Sequence, residues 1–375
     1  MLPGKAVWLV SRKGGAIDTG PGEGQTVSTS QPYAIPLHPD WNLVANPFNF
    51  PIPIGNLRLN RQDVVDPDSL EVVSFSGQWD TSAVLMLLPF QGYALEVERS
   101  DTLYVDPRLY PAPRALPKSS SPLATISWSI RIQAQARHAR DLGTVLGVSP
   151  ASSNEWDRMD RPKPPGVGDY VSVYFSRPEW ERRSKKFRTD YRPELAGIEE
   201  WDFEVETNIR DEVKLEFLGI DSVPNEYEVW LIDPALRLSR NLRESNVYSV
   251  AGRGPEHPKR LTLVISRQDK FDAKYSEYQK LPATFELSQN FPNPFNPATT
   301  IRYGLPKAER VALQIFDVLG REVMTLVNDE QKEAGFHLAI WNGRNASGQP
   351  VGNGVYFIQM RAGSFVETRK MVMIE

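Results

Sequence analysis

The side chains most often used in catalysis are sparse in this sequence and are not grouped. The four histidines, His38, His138, His257 and His337, are far apart, and no HExxH pair of zinc ligands occurs. Neither the serine-nucleophile motif GxSxG nor the phosphate-binding loop GxxxxGK[ST] is present. Cysteine is absent, which removes disulfides, thiolate metal ligands and cysteine nucleophiles together. We therefore predict that the protein is not an enzyme and binds no metal or cofactor.

Acidic groups and loop tryptophans are the remaining candidates for a binding site. The acidic groups are Asp66/Asp68, Asp157/Asp160 and Glu199/Glu200/Asp202. Carboxylate oxygens suit Ca²⁺, but none of these groups has the spaced loop with a closing glutamate, and solvated acidic loops explain them equally well. The loop sequences NEWDRMD and RPEWERR contain Trp156 and Trp180. These two rings could stack on sugars or cover their own β-domain.

The composition indicates that strands, rather than helices, position these side chains. Hydrophobic residues make up 40% of the 375 residues and charged residues 24%, as in globular proteins, and no apolar run is long enough to span a membrane. The 31 Pro, 25 Gly, 9 Trp, 13 Tyr and 16 Phe favour short strands separated by turns. The net charge is −4 and the basic residues are scattered, which argues against nucleic acid as a partner.

The N-terminal sequence predicts a β-rich domain over residues 1–112. Short apolar runs alternate there with Gly/Pro/Asp turns, and the cluster Gly20–Gly24 predicts a loop. The first residues lack the apolar region of a signal peptide, whereas Ala6–Val10 is typical of a strand. We therefore expect the sequence to be the C-terminal piece of a longer protein. Residues 113–122, which are rich in Pro and Ser, predict a linker.

Residues 123–267 predict a β-sandwich. Apolar residues recur there at period two, as at Ile126, Trp128, Ile130 and Ile132, and no amphipathic helix separates the strands. The polar residues 268–280 predict an exposed connector that could include a short helix. The fold class is therefore all-β, with antiparallel domains in tandem.

Residues 281–375 predict a final domain of seven strands. Ile301, Tyr303 and Leu305 would share one face of an early strand. Tight hairpins are expected at Leu319-Gly320 and at Ala362-Gly363, where glycine allows a positive φ. The prolines that precede these strands would keep the chain extended and outside any central ladder.

Four ordered blocks of the final domain carry a family resemblance. They are SQNFPNPFNPATTIRYGLP, IFDVLGREVMTLV, WNGRNASGQPVGNGVYFIQM and TRKMVMIE. Together they resemble the type A C-terminal sorting domain of the type IX secretion system, which is similar to the Ig-like domain of flagellar hook-capping proteins. By this resemblance the motif residues are Asn293, Pro294, Asn296, Pro297, Gly320, Arg321, Gly354, Tyr356, Arg369 and Lys370. Turn geometry, core packing and a solvated last strand offer structural explanations for the same residues.

The resemblance implies an Ig-like fold for the final domain and transport across the outer membrane to a secreted or cell-surface location. The partner would be the type IX translocon, with attachment to surface polysaccharide in some members. The chain would then be the C-terminal part of an exported bacterial surface protein, with upstream domains that are structural or that bind ligands. Two alternatives remain open: accessory modules of a secreted hydrolase with its catalytic domain upstream, and an adhesin or glycan-binding protein.

Overall fold

A computed structural model of the protein describes residues 27–60, 63–64, 72–76, 78–81, 84–108, 126–195, 197–278 and 282–374. The predictions for Ala6–Val10, Gly20–Gly24, Asp66/Asp68 and the linker lie outside these residues. The described chain divides into two compact units. The first comprises described residues of Met1–Ser127, Val145–Gly168 and Ser176–Glu194, and the second comprises those of Trp128–Thr144, Asp169–Phe175 and Leu195–Glu375. The domain boundaries drawn from the sequence stay a prediction.

The first unit opens with short strands that surround one apolar core. They are β1 (Tyr33–Leu37), β2 (Asp40–Ala45), β3 (Ile52–Pro53), β4 (Leu57–Leu59), β5 (Asp63–Val64), β6 (Val72–Phe75), β7 (Trp79–Asp80), β8 (Met86–Leu87), β9 (Gly92–Val97) and β10 (Asp101–Val105). Two four-stranded sheets have the orders β1-β10-β4-β5 and β2-β9-β6-β7. Alternate residues such as Val44, Leu95 and Leu103 are buried in the core, because successive side chains of a strand point to opposite faces.

Longer strands follow from residue 128 onward. They are β11 (Trp128–Ala136), β12 (Ala139–Val148), β13 (Val171–Ser176), β14 (Lys186–Phe187), β15 (Thr189–Arg192), β16 (Ile198–Thr207), β17 (Glu212–Leu218), β18 (Glu228–Asp233), β19 (Leu238–Asn241), β20 (Val247–Ala251) and β21 (Lys259–Ser266). In the second unit β17 pairs antiparallel with β11 and β20, and β21 pairs antiparallel with β16 and β18. In the first unit the end of β12 pairs in parallel with β15, so the antiparallel pattern has an exception.

The period-two pattern of the sequence identifies the buried faces of these strands. Trp201 and Phe203 are fully buried, and Trp201 meets Trp128 edge to face with ring centroids 6.1 Å apart. The pattern is wrong at Ile126, which is 46% exposed. The reason is that β11 begins only at Trp128, so Ile126 precedes the residues that the sheet holds in register.

The polar segment after β21 forms α1 (Gln268–Tyr275) and a short 3₁₀ turn at Ser276–Tyr278. Phe271 is fully buried and stacks on Trp230 with ring centroids 4.4 Å apart. The segment that the sequence predicts as an exposed connector with a possible short helix thus contains that helix, with Phe271 as its fully buried residue. A single buried aromatic in a helix of eight residues leaves no apolar period that the sequence could reveal.

The final seven strands form two sheets. They are β22 (Glu286–Leu287), β23 (Thr299–Leu305), β24 (Glu309–Phe316), β25 (Glu322–Lys332), β26 (Gly335–Trp341), β27 (Gly354–Ala362) and β28 (Phe365–Met373). The sheet orders are β22-β23-β26 and β25-β24-β27-β28. Ile301, Tyr303, Leu313 and Ile358 are among the buried residues of their shared core. The predicted all-β class is confirmed. Among the described residues, no helix has the length and apolar character to cross a membrane.

Candidate functional site

The Asn-Pro segment at residues 293–297 lies along the last strand of the domain. Phe295 N donates to Val372 O, and Ile374 N donates to Phe295 O, both at 3.0 Å. Asn293 Oδ1 accepts a hydrogen bond from Val372 N at 2.9 Å. The first and last sequence blocks of the resemblance are therefore in direct contact, although about 80 residues separate them.

Two further contacts extend this surface toward the start of the domain. Gln289 Nε2 donates to Lys370 O at 2.8 Å, and Arg369 Nε donates to Leu287 O at 2.9 Å. Arg369 also forms an ion pair with Glu367, while Lys370 is exposed. The interpretation of Arg369 and Lys370 as one solvated edge is thus incomplete, because Arg369 is committed to a contact within the domain.

A small polar network fixes the base of the Asn-Pro segment. Asn290 is 2% exposed, and its Nδ2 donates to Pro292 O and to Thr299 Oγ1. The hydroxyl of Thr299 donates in turn to the same carbonyl of Pro292 at 2.9 Å. The Phe291–Pro292 and Asn293–Pro294 peptide bonds are cis. The hydrogen bonds of Asn290 and Thr299 satisfy polar groups that burial would otherwise leave unpaired, so the segment has a defined conformation at its start.

Three aromatic rings connect the segment to the core. The rings of Phe295 and Trp341 are 5.4 Å apart, and those of Trp341 and Tyr356 are 5.1 Å apart. The hydroxyl of Tyr356 donates to Gly352 O at 2.8 Å. Burial raises the pKa of Tyr356, and the carboxylate of Asp317 raises it further. Tyr356 is therefore a core residue and a hydrogen-bond donor, not a reactive phenolate.

Pro297 and Gly343 make a close backbone approach beside these rings. Gly343 has φ of +67°, and a Cβ at this position would lie 3.0 Å from Pro297 O and from the Met373 side chain. Asn296, which directly precedes Pro297, is partly exposed. Gly354 opens β27 directly opposite Met373 in the register. The residues of three sequence blocks thus meet at one end of the domain.

The predicted hairpin at Leu319-Gly320 is present and is held by one carboxylate. Asp317 Oδ1 accepts hydrogen bonds from Leu319 N and Arg321 N, and Arg321 Nε donates to Oδ2 at 2.7 Å. These bonds lower the pKa of Asp317. Gly320 has φ of +75°, so glycine suits the turn. Val318 and Leu319 are exposed at the tip.

Several residues of this site were missed in the sequence. Leu287, Glu367, Gln289 and Val372 act through backbone groups or short polar contacts that no local pattern marks. Phe295 is the exception, because its local sequence indicates its role: an aromatic residue between two Asn-Pro pairs is expected to anchor a turn to a core.

The other sequence candidates are mostly explained by structural roles. Glu200 accepts a hydrogen bond from the Tyr275 hydroxyl at 2.6 Å, and Asp202 from the Thr262 hydroxyl at 2.6 Å. Trp180 packs edge to face on Phe187. His38, His138 and His257 lie between strands and His337 lies in β26, and within the described ranges no cluster of three His, Cys, Asp or Glu side chains could hold a metal ion.

A buried polar group in the second unit resembles a reactive cluster but is internally satisfied. Lys259 Nζ lies 2.6 Å from Asp233 Oδ1, and the Tyr248 hydroxyl donates to Asp233 Oδ2 at 2.9 Å. Burial lowers the pKa of Lys259, and the charge of Asp233 opposes this shift. Burial also raises the pKa of Tyr248 well above its usual value. All three side chains have partners, which favours a structural role.

Comparison with known proteins identifies the class of the final domain. Residues 297–364 match the sequence family described as the FlgD Ig-like domain, which agrees with the two-sheet, seven-strand architecture. The match covers a minor part of the chain. A search of curated proteins found no match.

Two solved structures from Porphyromonas gingivalis also resemble the chain. PorZ, an essential bacterial surface component of the type IX secretion system, is 16% identical over 46% of this chain and 21% of its own, with a TM-score of 0.19. Dimeric latent PorU is 12% identical over 67% of this chain and 30% of its own, with a TM-score of 0.21. The chain therefore spans less than a third of the length of either structure.

Proposed function

We propose that residues 281–375 form a sorting domain that directs an exported bacterial surface protein through the type IX secretion system. The protein would then reside on the cell surface or in the medium. The upstream β-domains would be structural or ligand-binding cargo without catalytic activity. The match of residues 297–364 to the FlgD Ig-like domain supports this proposal, because the sorting domain has a fold of that kind.

The observation that carries the proposal is the contact between the outermost sequence blocks of the resemblance. Asn293 and Phe295 bind the backbone of Val372 and Ile374, so the two blocks form one continuous surface. Asn293, Pro294 and Lys370 are exposed there. A receptor could read such a surface only in the folded domain, because the segments are distant in an extended chain.

Secretion of a reporter tests the proposal directly. The whole chain and a version that ends at residue 280 would each be placed behind a signal peptide and a reporter, in a bacterium that has this secretion system. We expect the reporter on the cell surface or in the medium with the whole chain, and in the periplasm with the shortened one. A host without the translocon should retain both.

A pair of charge reversals tests whether the surface itself is recognised. Lys370→Glu alters the proposed surface, whereas Lys307→Glu reverses an exposed charge of the same domain outside the motif residues. We expect secretion to fall with Lys370→Glu and to persist with Lys307→Glu. If the whole chain stays periplasmic while a known sorting domain exports the same reporter, the proposal is wrong.

A further inference from the structure

A cavity of 240 Å³ lies within the first compact unit, far in sequence from the sorting motif. Three segments line it: Glu96 in β9 with Glu98 just after that strand, the loop at 156–162, and residues 182–187. Its walls combine aromatic, acidic and basic side chains. Concave sites with an apolar surface and a few placed polar groups are typical of small-ligand binding sites.

The loop that carries Trp156 is held in place by its own carboxylates. Asp157 accepts hydrogen bonds from Ser153 N and Met159 N, both at 2.7 Å. Asp157 N donates in turn to Asp160 Oδ2 at 2.9 Å. Because the loop is already ordered by these bonds, a ligand would not have to meet the full entropic cost of ordering it.

The ring of Trp156 is covered by a cation on one face and remains partly exposed. The guanidinium of Arg182 lies 3.9 Å from the centre of the Trp156 ring. Arg182 Nε lies 2.7 Å from Glu98 Oε1, and Glu98 Oε2 accepts from Arg183 N at 3.1 Å. The indole nevertheless remains 37% exposed. An aromatic ring that is held by a cation and still accessible can stack against a flat ligand face.

Asp160 gives the cavity an unsatisfied polar group. It lines the cavity but is only 3% exposed, and its Oδ1 has no hydrogen-bond partner. A buried polar atom without a partner costs about 1–3 kcal/mol, so a ligand hydroxyl that supplied the partner would be favoured. Burial raises the pKa of Asp160 to about 8, and the nearby Asp157 and Asp190 carboxylates contribute. At neutral pH the group is therefore mostly a neutral carboxylic acid that can donate a hydrogen bond.

We propose that this cavity binds one neutral sugar residue, with its ring against Trp156 and its hydroxyls on the acidic and guanidinium groups. The cavity is suited to a single ring rather than to an extended chain. This inference is independent of the sorting proposal, because it concerns another part of the molecule and a different kind of ligand.

Charged groups of both signs line the cavity, so neither an anionic nor a cationic ligand matches all of them. Glu96 and Glu98 face Arg158, Arg161 and Arg182 around the same cavity. A sugar acid would be attracted by the guanidinium groups but repelled by the glutamates, and an amino sugar would meet the reverse. A neutral sugar is repelled by neither group. Its hydroxyls can accept hydrogen bonds from the guanidinium groups and donate hydrogen bonds to the carboxylates.

Binding of simple glycosides to the full chain tests this proposal. The probes are the methyl glycosides of glucose, galactose, mannose and N-acetylglucosamine, with methyl glucuronide and methyl glucosaminide as charged comparisons. Saturation-transfer NMR and tryptophan fluorescence would report binding. We expect at least one neutral glycoside to bind saturably, with a Kd of about 1 mM, as suits a single small ring.

Three variants locate the binding. Trp156→Ala removes the stacking ring, and Ser184→Tyr fills the cavity from a partly exposed position without changing the core. Both should abolish the signal. The matched control is Phe90→Asn, which removes an aromatic that is 96% exposed in the same unit but does not line the cavity. Folding of each variant is checked by circular dichroism. If Trp156→Ala does not fold, Ser184→Tyr alone shows whether the glycoside binds in the cavity.

The proposal fails if no neutral glycoside binds the folded chain at about ten times that concentration. It also fails if binding survives Ser184→Tyr or is lost in Phe90→Asn, since the sugar would then lie elsewhere. Preference for a charged glycoside would overturn the assignment of a neutral ligand.

Discussion

The side chain of Arg369 donates a 2.9 Å hydrogen bond from Nε to the backbone carbonyl oxygen of Leu287. Glu367 completes this contact, because its Oε2 accepts from Leu287 N at 3.2 Å. Two side chains of β28 thus satisfy both backbone polar groups of one residue in β22, as a neighbouring strand would do. A basic residue in the last sequence block therefore has a structural use that does not depend on any receptor.

Replacing Arg369 by alanine should loosen the start of the final domain. We expect Arg369→Ala to lower the free energy of unfolding by about 1 kcal/mol, since one partly exposed charged hydrogen bond is lost. Hydrogen exchange at residues 286–305 should accelerate. Lys307→Ala is the control and should change stability by less than about 0.5 kcal/mol, because its ion pair with Glu309 is long and exposed. Equal effects of the two substitutions would show that the Leu287 contact is unimportant.

Alanine should be tolerated at Gly320 far better than at Gly343. Both glycines have positive φ, so each substitution meets a backbone penalty of about 1–2 kcal/mol. At Gly320 no atom lies within 4 Å of the added Cβ, but at Gly343 the Pro297 carbonyl lies at 3.0 Å. We expect Gly343→Ala to destabilise the domain by about 1 kcal/mol more than Gly320→Ala does. Thermal unfolding of both variants measures the difference, and equal melting temperatures would contradict it.

Breaking the buried Asp233–Lys259 pair from one side should be costly. Lys259→Met leaves the Asp233 carboxylate buried without its cation, and such losses typically cost about 3–5 kcal/mol. The double variant Asp233→Leu/Lys259→Met should recover part of this loss, because neither charge then remains. Chemical denaturation of the two single variants and the double variant gives the coupling energy. Additive losses would show that the pair does not interact energetically.

Asp160 should make stability fall as the pH rises. Its pKa is raised to about 8 in the folded chain from 3.8, so the folded state holds the proton more tightly than the unfolded state does. The stabilising effect is fully present below pH 4 and is lost as the pH rises toward 8. The carboxylates of Asp157 and Asp190 reinforce the rise in the pKa, and backbone hydrogen bonds from Asp157 and Tyr191 oppose it. Asp160→Asn should lose this dependence.

The measurement is the difference in unfolding free energy between the native chain and Asp160→Asn, taken from pH 4 to pH 8. Other titrating groups cancel in that difference, so its slope reports Asp160 alone. A flat difference would mean that the carboxyl group is ionised throughout. Asparagine keeps an oxygen to accept from Asp157 N, which preserves the loop.

Local alternation was sufficient to predict most strands. Ile301, Tyr303 and Leu305 occupy one buried face, and the hairpin at Gly320 is where the turn residues indicate, because these features depend on neighbouring residues only. The parallel pairing of β12 with β15 was not predictable in this way. Pairing depends on where distant segments meet, and period two is identical in parallel and antiparallel strands.

At the candidate sites, too, the sequence indicates residues but not the contacts between distant segments. The resemblance named Asn293 and Arg369 but not their contacts with Val372 and Leu287, since each contact spans about 80 residues. Asp160 belonged to an acidic group that sequence reasoning assigned by default to solvent. Its burial depends on the fold around the loop, and composition alone gives no measure of it.

Residues 289–295, which lie along β28, affect how separate copies of the chain can associate. An unpaired strand edge is a template for strands of other molecules and promotes aggregation. Here residues 289–295 already form hydrogen bonds with Lys370 O, with both backbone groups of Val372 and with Ile374 N. Neighbouring copies at high density would therefore find fewer unpaired backbone groups on this stretch from which to extend a shared sheet.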